Sequence, residues 1–125
     1  MASTDAAPIG REEQTPRYRV ASRRWIAQGS DVFVKVFVLA PGEEVPWHSH
    51  SQITDTFFVL EGRLGIERAA VEGGGRLATL DLGVGEEAQV EAGMAHRPFN
   101  AGEGPCRFVL VQGVGAYDYR RYDGS

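Results

Sequence analysis

Residues 42–62 carry the pattern that decides the fold, GEEVPWHSHSQITDTFFVLEG. The stretch begins and ends with glycine and holds His48 and His50, two of the three histidines in the chain. Side chains two positions apart on a strand point to the same face, so both imidazoles can converge on one point, as metal ligation requires. The same spacing also fits two solvated side chains at the end of a strand.

The carboxylate of Asp55 lies at an odd spacing from His50, which would put it on the opposite face of a straight strand. It joins the histidine face only if the chain bends between residues 51 and 54. The sequence Ser-Gln-Ile-Thr is compatible with such a bend but does not demand it. The third histidine, His96, has to come from another strand.

Outside this stretch, β-branched and aromatic residues recur in short runs separated by glycine and proline, which is typical of strands. No long window has a persuasive helical period of apolar residues. We predict strands over residues 19–26, 32–39, 44–50, 55–60, 63–68, 76–81, 88–90, 96–99 and 107–112. Short strands with frequent turns indicate an all-β sandwich or barrel.

Composition narrows the classes of function. With 125 residues the chain has room for one domain. A net charge of −4 and a pI near 5.3 argue against a nucleic-acid partner. The most apolar segment, residues 32–40, is interrupted by Lys35 and is far shorter than the ~20 residues that span a membrane. We therefore predict neither a nucleic-acid nor a membrane partner.

The single cysteine, Cys106, cannot form an internal disulfide, and the first twenty residues hold no apolar stretch long enough for a signal peptide. We predict a cytoplasmic protein in which Cys106 is a small buried apolar residue, with a reactive thiol as the alternative.

The chain divides into a predicted N-terminal tail or arm (1–16), a barrel (17–116) and a C-terminal tail (117–125). The aromatic and basic run 117–122 is unusual for a tail. It either packs across a partner subunit or folds back on its own barrel.

Two spaced patterns resemble the two motifs of the cupin superfamily. The first motif runs Gly, five residues, His-x-His, three or four residues, Glu, six residues, Gly. In this chain those positions are held by Gly42, His48, His50, Asp55 and Gly62. Asp55 therefore stands where the family usually has glutamate.

The second motif runs Gly, five residues, Pro-x-Gly, two residues, His, three residues, Asn. It is matched by Gly85, Glu91-Ala92-Gly93, His96 and Asn100, with Glu91 in place of the usual proline. Together the two motifs use every histidine of the chain, and the spacer between them has the length found in small single-domain cupins.

The resemblance implies a double-stranded β-helix, the jelly-roll barrel of the cupins. It implies that His48, His50 and His96, with Asp55 as a fourth ligand, hold one divalent first-row transition metal ion: Fe, Mn, Ni, Zn or Cu. Because aspartate is one methylene shorter than glutamate, Asp55 is brought closer by the backbone, binds through water, or leaves the ion to three histidines. Asp55 is also the candidate catalytic base.

Five further residues are candidates for the substrate pocket: Lys35, Trp47, Phe57, Val59 and Phe108. Strand parity from Asp55 turns Phe57 and Val59 inward and Phe58 outward. Lys35 either points into the barrel mouth, where it would bind a substrate carboxylate, or lies on a solvated face or edge.

The function implied is that of a small metal-dependent enzyme acting on a small polar organic molecule, with dioxygenase chemistry favoured over isomerase or lyase chemistry. A non-catalytic module that binds a metal or small ligand is the alternative, and a metal-free carbohydrate-binding barrel is a third. By analogy with small cupins we expect a homodimer.

Overall fold

The computed structural model describes residues 18–123, so the predicted arm over residues 1–16 lies outside the described part. Within that part every regular element is a strand, which confirms the all-β prediction. The strands are β1 (Ser22–Gln28), β2 (Val32–Leu39), β3 (His48–Ser49), β4 (Thr54–Glu61), β5 (Leu64–Ala70), β6 (Leu80–Leu82), β7 (Glu87–Val90), β8 (Met94–Asn100), β9 (Cys106–Gly113) and β10 (Arg120–Arg121). Residues 18–123 also contain no helix with the length and hydropathy of a membrane-spanning segment.

The strands form two antiparallel sheets of five strands each. One sheet has the order β1-β2-β9-β4-β7 and the other the order β10-β3-β8-β5-β6. Strands that are distant in sequence, such as β2 and β9, are neighbours in space, and two facing sheets leave an interior between them.

Two predicted strands are shorter in the structure. The prediction over residues 44–50 is wrong for most of its length, because β3 keeps only two residues while Glu44 makes an isolated bridge to Phe99. Pro46 lies between the two and has no N–H to donate to a ladder. Similarly, residues 76–81 contribute only an isolated bridge at Arg76 and the start of β6.

Along the inner face of the first sheet, the side chains change from an apolar core at one end to polar residues at the other. Its register aligns one row of Phe37, Phe108 and Val59, a second row of Lys35, Leu110 and Phe57, and a third row of Phe33, Gln112 and Asp55. The rings of Phe37 and Phe108 stack with centroids 5.4 Å apart. The apolar row belongs to the core, and the row that ends in Asp55 lies at the polar end.

The C-terminal segment returns to the barrel. The sequence predicts a tail from residue 117, and the structure pairs β10 of this segment with β3, matching Arg121 with His48 and Arg120 with Ser49. Of the two placements left open for the aromatic run, the structure shows packing on the chain's own barrel. The backbone N–H of Tyr122 donates to the carbonyl oxygen of Trp47, which fixes the end of the segment.

Candidate metal centre

The four residues of the predicted ligand set come from both sheets. His48 on β3 is the direct cross-strand partner of His96 on β8, and His50 follows immediately after β3. Asp55 comes from β4 in the facing sheet. The chain bends at Ser51 and Gln52, within the predicted interval, and this bend turns the carboxylate toward the histidines.

One potential ligand atom from each of the four residues lies within 4.8 Å of all the others. All four side chains are buried, with exposed fractions of 3% for His48, 2% for His50, and 1% for both Asp55 and His96. The solvated strand-end interpretation of His-x-His is therefore wrong. A set of three imidazoles and one carboxylate, shielded from water, could hold a divalent transition metal ion.

Backbone carbonyls orient all three imidazoles in the same way. The Nδ1 atoms lie 2.7 Å from the carbonyl oxygen of Pro46 for His48, 2.5 Å from that of Asp118 for His50, and 3.1 Å from that of Met94 for His96. A carbonyl only accepts, so each Nδ1 carries the proton. Each Nε2 is thereby left to face the cluster, which is the tautomer that a metal site requires.

The carboxylate of Asp55 is shared between the histidines and a glutamine. Its Oδ2 lies 2.9 Å from Nε2 of His96 and 3.3 Å from Nε2 of His50. Gln112 on β9 donates from Nε2 to the other oxygen, Oδ1, at 3.0 Å. Gln112 thus holds Asp55 with Oδ2 directed toward the imidazoles.

Gln112 is not among the site residues predicted from the sequence. A signal was present, because Gln112 shares strand parity with Phe108 and Leu110 and is therefore a polar side chain on an otherwise apolar inner face. Gln112 is 4% exposed, and its Oε1 has no hydrogen-bond partner among the described residues. An acceptor of this kind suits a donor supplied by a ligand.

Burial and mutual charge set the protonation of the cluster. Burial, with the charges of His96 and His50 adding to it, holds the pKa of His48 well below its ordinary value. Burial would raise the pKa of Asp55, yet the charge of His50 and the hydrogen bonds of both histidine partners hold it well below its ordinary value. Neutral imidazole and ionised carboxylate are the forms that bind metals.

The pKa of His50 moves the other way. Burial opposes its protonation, but the charge and hydrogen bond of Asp55, followed by the carbonyl of Asp118, outweigh burial and raise the pKa. Without a cation at the centre, this shift favours a proton on His50, whose Nε2 lies 3.3 Å from Oδ2 of Asp55. A bound metal ion would take the place of that proton.

The C-terminal segment covers the cluster with two tyrosines. The ring of Tyr119 stacks on His48 with centroids 4.6 Å apart and an angle of 10°, and the ring of Tyr117 lies 5.3 Å from His50. Between them, the carboxylate of Asp118 accepts hydrogen bonds from the backbone N–H of Ser51 at 2.8 Å and from its hydroxyl at 2.6 Å. The sequence shows this aromatic run, but no local pattern connects it with the histidines.

A cavity of about 20 Å³ lies beside the cluster. This volume accommodates about one water molecule. Three of the five predicted pocket residues line it, Lys35, Phe57 and Phe108. Lys35 is 1% exposed, so the alternative in which it lies on a solvated face is wrong.

The structure places the other two pocket candidates elsewhere. Trp47 immediately precedes β3 and does not line the cavity. Its ring contacts the ring of Tyr122, with centroids 5.6 Å apart, and the guanidinium of Arg76 at 4.6 Å. Val59 is buried two rows deeper than Asp55, within the apolar core. Phe57 and Val59 are both buried and Phe58 is partly exposed, as the parity argument predicted.

A family profile described as a cupin domain matches residues 35–112, more than half of the chain. No curated protein matches the sequence significantly.

Solved structures agree with this fold. An uncharacterised conserved protein with a double-stranded β-helix domain from Klebsiella pneumoniae is 23% identical, with a TM-score of 0.69, 94% of this chain covered and 99% of that one. An oxalate oxidase in complex with the substrate analogue glycolate is 23% identical, with a TM-score of 0.63 and coverage of 71% of this chain and 45% of that one.

An oxalate decarboxylase from Bacillus subtilis is 18% identical, with a TM-score of 0.70 and coverage of 87% of this chain and 30% of that one. The chain therefore spans less than half the length of these two oxalate enzymes. At such identities the likeness shows the fold, and it confirms the predicted double-stranded β-helix.

Proposed function

The chain belongs to the cupin family, and we propose that it is a small metal-dependent enzyme that acts on a small polar organic molecule. The observation that carries this proposal is the buried cluster of His48, His50, Asp55 and His96, in which three imidazoles are oriented by backbone carbonyls toward one carboxylate. Dioxygenase chemistry is the first class to test, followed by isomerase and lyase chemistry.

The donor set suits a divalent ion of Fe, Mn, Ni, Zn or Cu, whose identity depends more on supply than on intrinsic affinity. Such an ion would supply Lewis acidity toward a substrate oxygen and, for the redox-active metals, reactivity with O2. The protein residues fix its position from two sheets and keep bulk water away from it. Asp55 balances part of its charge.

Asp55 and Gln112 are the groups that would handle protons beside the ion. Asp55 is ionised, since its pKa is held well below the ordinary value, and its Oδ2 can bind the ion or, once released from the ion, accept a proton. Gln112 directs that oxygen by holding Oδ1, and its own Oε1 can accept a hydrogen bond from a substrate hydroxyl. We therefore assign Asp55 the role of ligand or, on release from the ion, that of catalytic base, and Gln112 that of a positioning residue.

A non-catalytic module that binds a metal or a small ligand is the second candidate. The small volume of the cavity under Tyr117 and Tyr119 favours it, because a substrate larger than a few atoms needs these side chains to move. Enzyme and binding module share the same metal centre, so they are separated by turnover and not by metal content.

The experiment begins with protein purified without a histidine tag. Elemental analysis should find about one first-row metal ion per chain, and O2 uptake or product formation should follow with members of a panel of small enols, diketones, thiols and sugar acids. Metal without turnover would support the binding module. A folded protein that takes up none of the five metals would contradict the enzyme and the metal-binding module, and it would favour a metal-free barrel.

A homodimer in solution remains part of the proposal by analogy with small cupins. Sedimentation equilibrium measures the mass directly, and a mass equal to the 13.6 kDa of one chain would contradict it.

A further inference from the structure

Lys35 is a buried cation beside the metal centre. It is the single lysine among the thirteen basic residues of the chain. Its side chain lies on the inner face of β2, is 1% exposed, and lines the same cavity as His48, His50 and Asp55. A buried ammonium is costly unless its surroundings compensate the charge.

Aromatic rings surround the ammonium group. Its Nζ lies 5.0 Å from the ring centroid of Trp25, 5.5 Å from Tyr117, 5.6 Å from Phe33 and 5.9 Å from Phe37. Cation–π attraction at such distances offsets part of the cost of burial and holds the ammonium at one place in the cavity wall. Tyr117 contacts His50 as well, so one side chain connects the lysine with the cluster.

The charges around the cavity favour an anion. Among the described residues that line it, Asp55 is the single acid. A divalent ion held by three neutral imidazoles and this carboxylate leaves one positive charge, and Lys35 adds a second. The ammonium and the imidazole of His50 line the same cavity, and the ring of Tyr117 contacts both.

We propose that Lys35 binds a carboxylate group of the substrate, so that the enzyme acts on small organic carboxylates. This inference rests on the proposed function, because the metal centre supplies the other positive charge. The cavity of about 20 Å³ accepts little beyond one oxyanion group, so the ligand is small or displaces Tyr117. A compact ammonium suits such a ligand, because it binds as a point charge without imposing a bidentate geometry.

Because the chain has one lysine, its ammonium group can be observed without mutation. Protein that carries lysine labelled with ¹³C at Cε and ¹⁵N at Nζ gives one side-chain signal. After loading with Zn²⁺, which is diamagnetic, the protein is titrated with acetate and, separately, with acetamide, which has nearly the same shape and no charge. Acetate should shift the lysine signal to saturation, and acetamide should not.

Variants then measure the contribution of Lys35 to affinity. Lys35→Met should weaken acetate binding to the Zn²⁺-loaded protein by about tenfold or more, as for loss of a charge-assisted hydrogen bond. Arg24→Met removes an exposed positive charge from the neighbouring strand β1 and should leave acetate affinity within about twofold. If Lys35→Met does not fold, the labelled wild-type protein still decides the question.

The outcomes separate the two proposals. If the folded wild-type protein does not take up Zn²⁺ or any other first-row metal, the proposed function fails. If it takes up Zn²⁺ but the lysine signal ignores acetate, responds equally to acetamide, or Lys35→Met binds acetate as the wild type does, the assignment of Lys35 is overturned and the metal centre stands.

Discussion

The imidazole Nδ1 of His50 donates to the backbone carbonyl oxygen of Asp118, 68 positions further along the chain, at 2.5 Å. The C-terminal segment therefore orients a candidate metal ligand as well as covering it. The carboxylate of Asp118 holds the segment in place, because it accepts hydrogen bonds from both the backbone N–H and the hydroxyl of Ser51.

Replacement of Asp118 by alanine should weaken metal binding about tenfold, since partners that orient a ligand typically contribute 10–100-fold to affinity. The variant keeps the carbonyl that His50 contacts but releases the segment from Ser51. Competition with a chromophoric chelator measures the change. Glu103→Ala removes an exposed acid from a distant loop and serves as the control; equal affinities in the two variants would contradict the role of Asp118.

Substitution of His96 tests the centre itself. Structural zinc sites bind with roughly 10–16 kcal/mol, so one ligand of four accounts for about 3 kcal/mol and its loss for on the order of a hundredfold in affinity. His96→Ala and His48→Ala should therefore lose the metal under conditions where the wild type is saturated, and Asp55→Ala should lose less. Elemental analysis after gel filtration measures the occupancy.

Ser49→Ala is the matched control, because Ser49 is a buried residue of the same short strand between two candidate ligands and should keep full occupancy. Thermal unfolding gives a second readout. Metal at a hundred times the wild-type Kd should stabilise the wild type by about 2.7 kcal/mol, and it should stabilise His96→Ala, whose affinity is about a hundredfold lower, by only about 0.4 kcal/mol. Full occupancy in either histidine variant would remove that residue from the centre.

The fold and the histidines could be predicted from local patterns, while the covering segment could not. The alternation of polar and apolar residues located most strands, and the spacing of the glycines and histidines placed the cluster at the correct strand ends. A two-residue strand such as β10 has no pattern of its own; it forms because Tyr122 and Trp47 pack together and β3 offers an unpaired edge.

The sequence also locates Lys35 and Gln112 without predicting what these two polar side chains contact. Each occupies an inward position of a strand whose other inward residues are apolar, and periodicity therefore identifies them as exceptions. What each residue contacts depends on the cross-strand register. The register places Gln112 in one row with Phe33 and Asp55, and Lys35 in the next row with Leu110 and Phe57. That register is a property of the whole barrel, because it joins strands that are distant in sequence.

Gly62, the last glycine of the first motif, should tolerate replacement by alanine less well than Gly85, the first glycine of the second motif. Gly62 has φ of +80°, and a Cβ there would lie 2.3 Å from the carbonyl oxygen of Pro105. Gly85 has φ of +87° with no atom within 4 Å of a Cβ. Left-handed backbone alone costs about 1–2 kcal/mol for alanine, and overpacking against backbone adds about 1–3 kcal/mol.

Gly62→Ala should therefore lose about 2–5 kcal/mol of unfolding free energy and Gly85→Ala about 1–2 kcal/mol. Urea denaturation at constant pH measures both. Because the two positions share the same backbone conformation, their difference isolates the contact with Pro105. Equal losses would show that the loop before β9 moves aside.

Cys106 should be unreactive in the folded protein, as expected for a buried apolar residue. The side chain has no measurable exposure, and burial, followed by the negative charge of Glu61, raises the pKa of its thiol to about 11. The thiolate is the reactive form, so a raised pKa suppresses reaction at every pH below it.

An aromatic disulfide reagent at pH 8 should label Cys106 at once when the protein is unfolded in urea. It should label the folded protein only as fast as the structure opens. In urea the pH profile should level off above about 8.5, the ordinary thiol value. Cys106→Ala provides the blank, and rapid labelling of folded wild-type protein at pH 8 would restore the alternative of a reactive thiol.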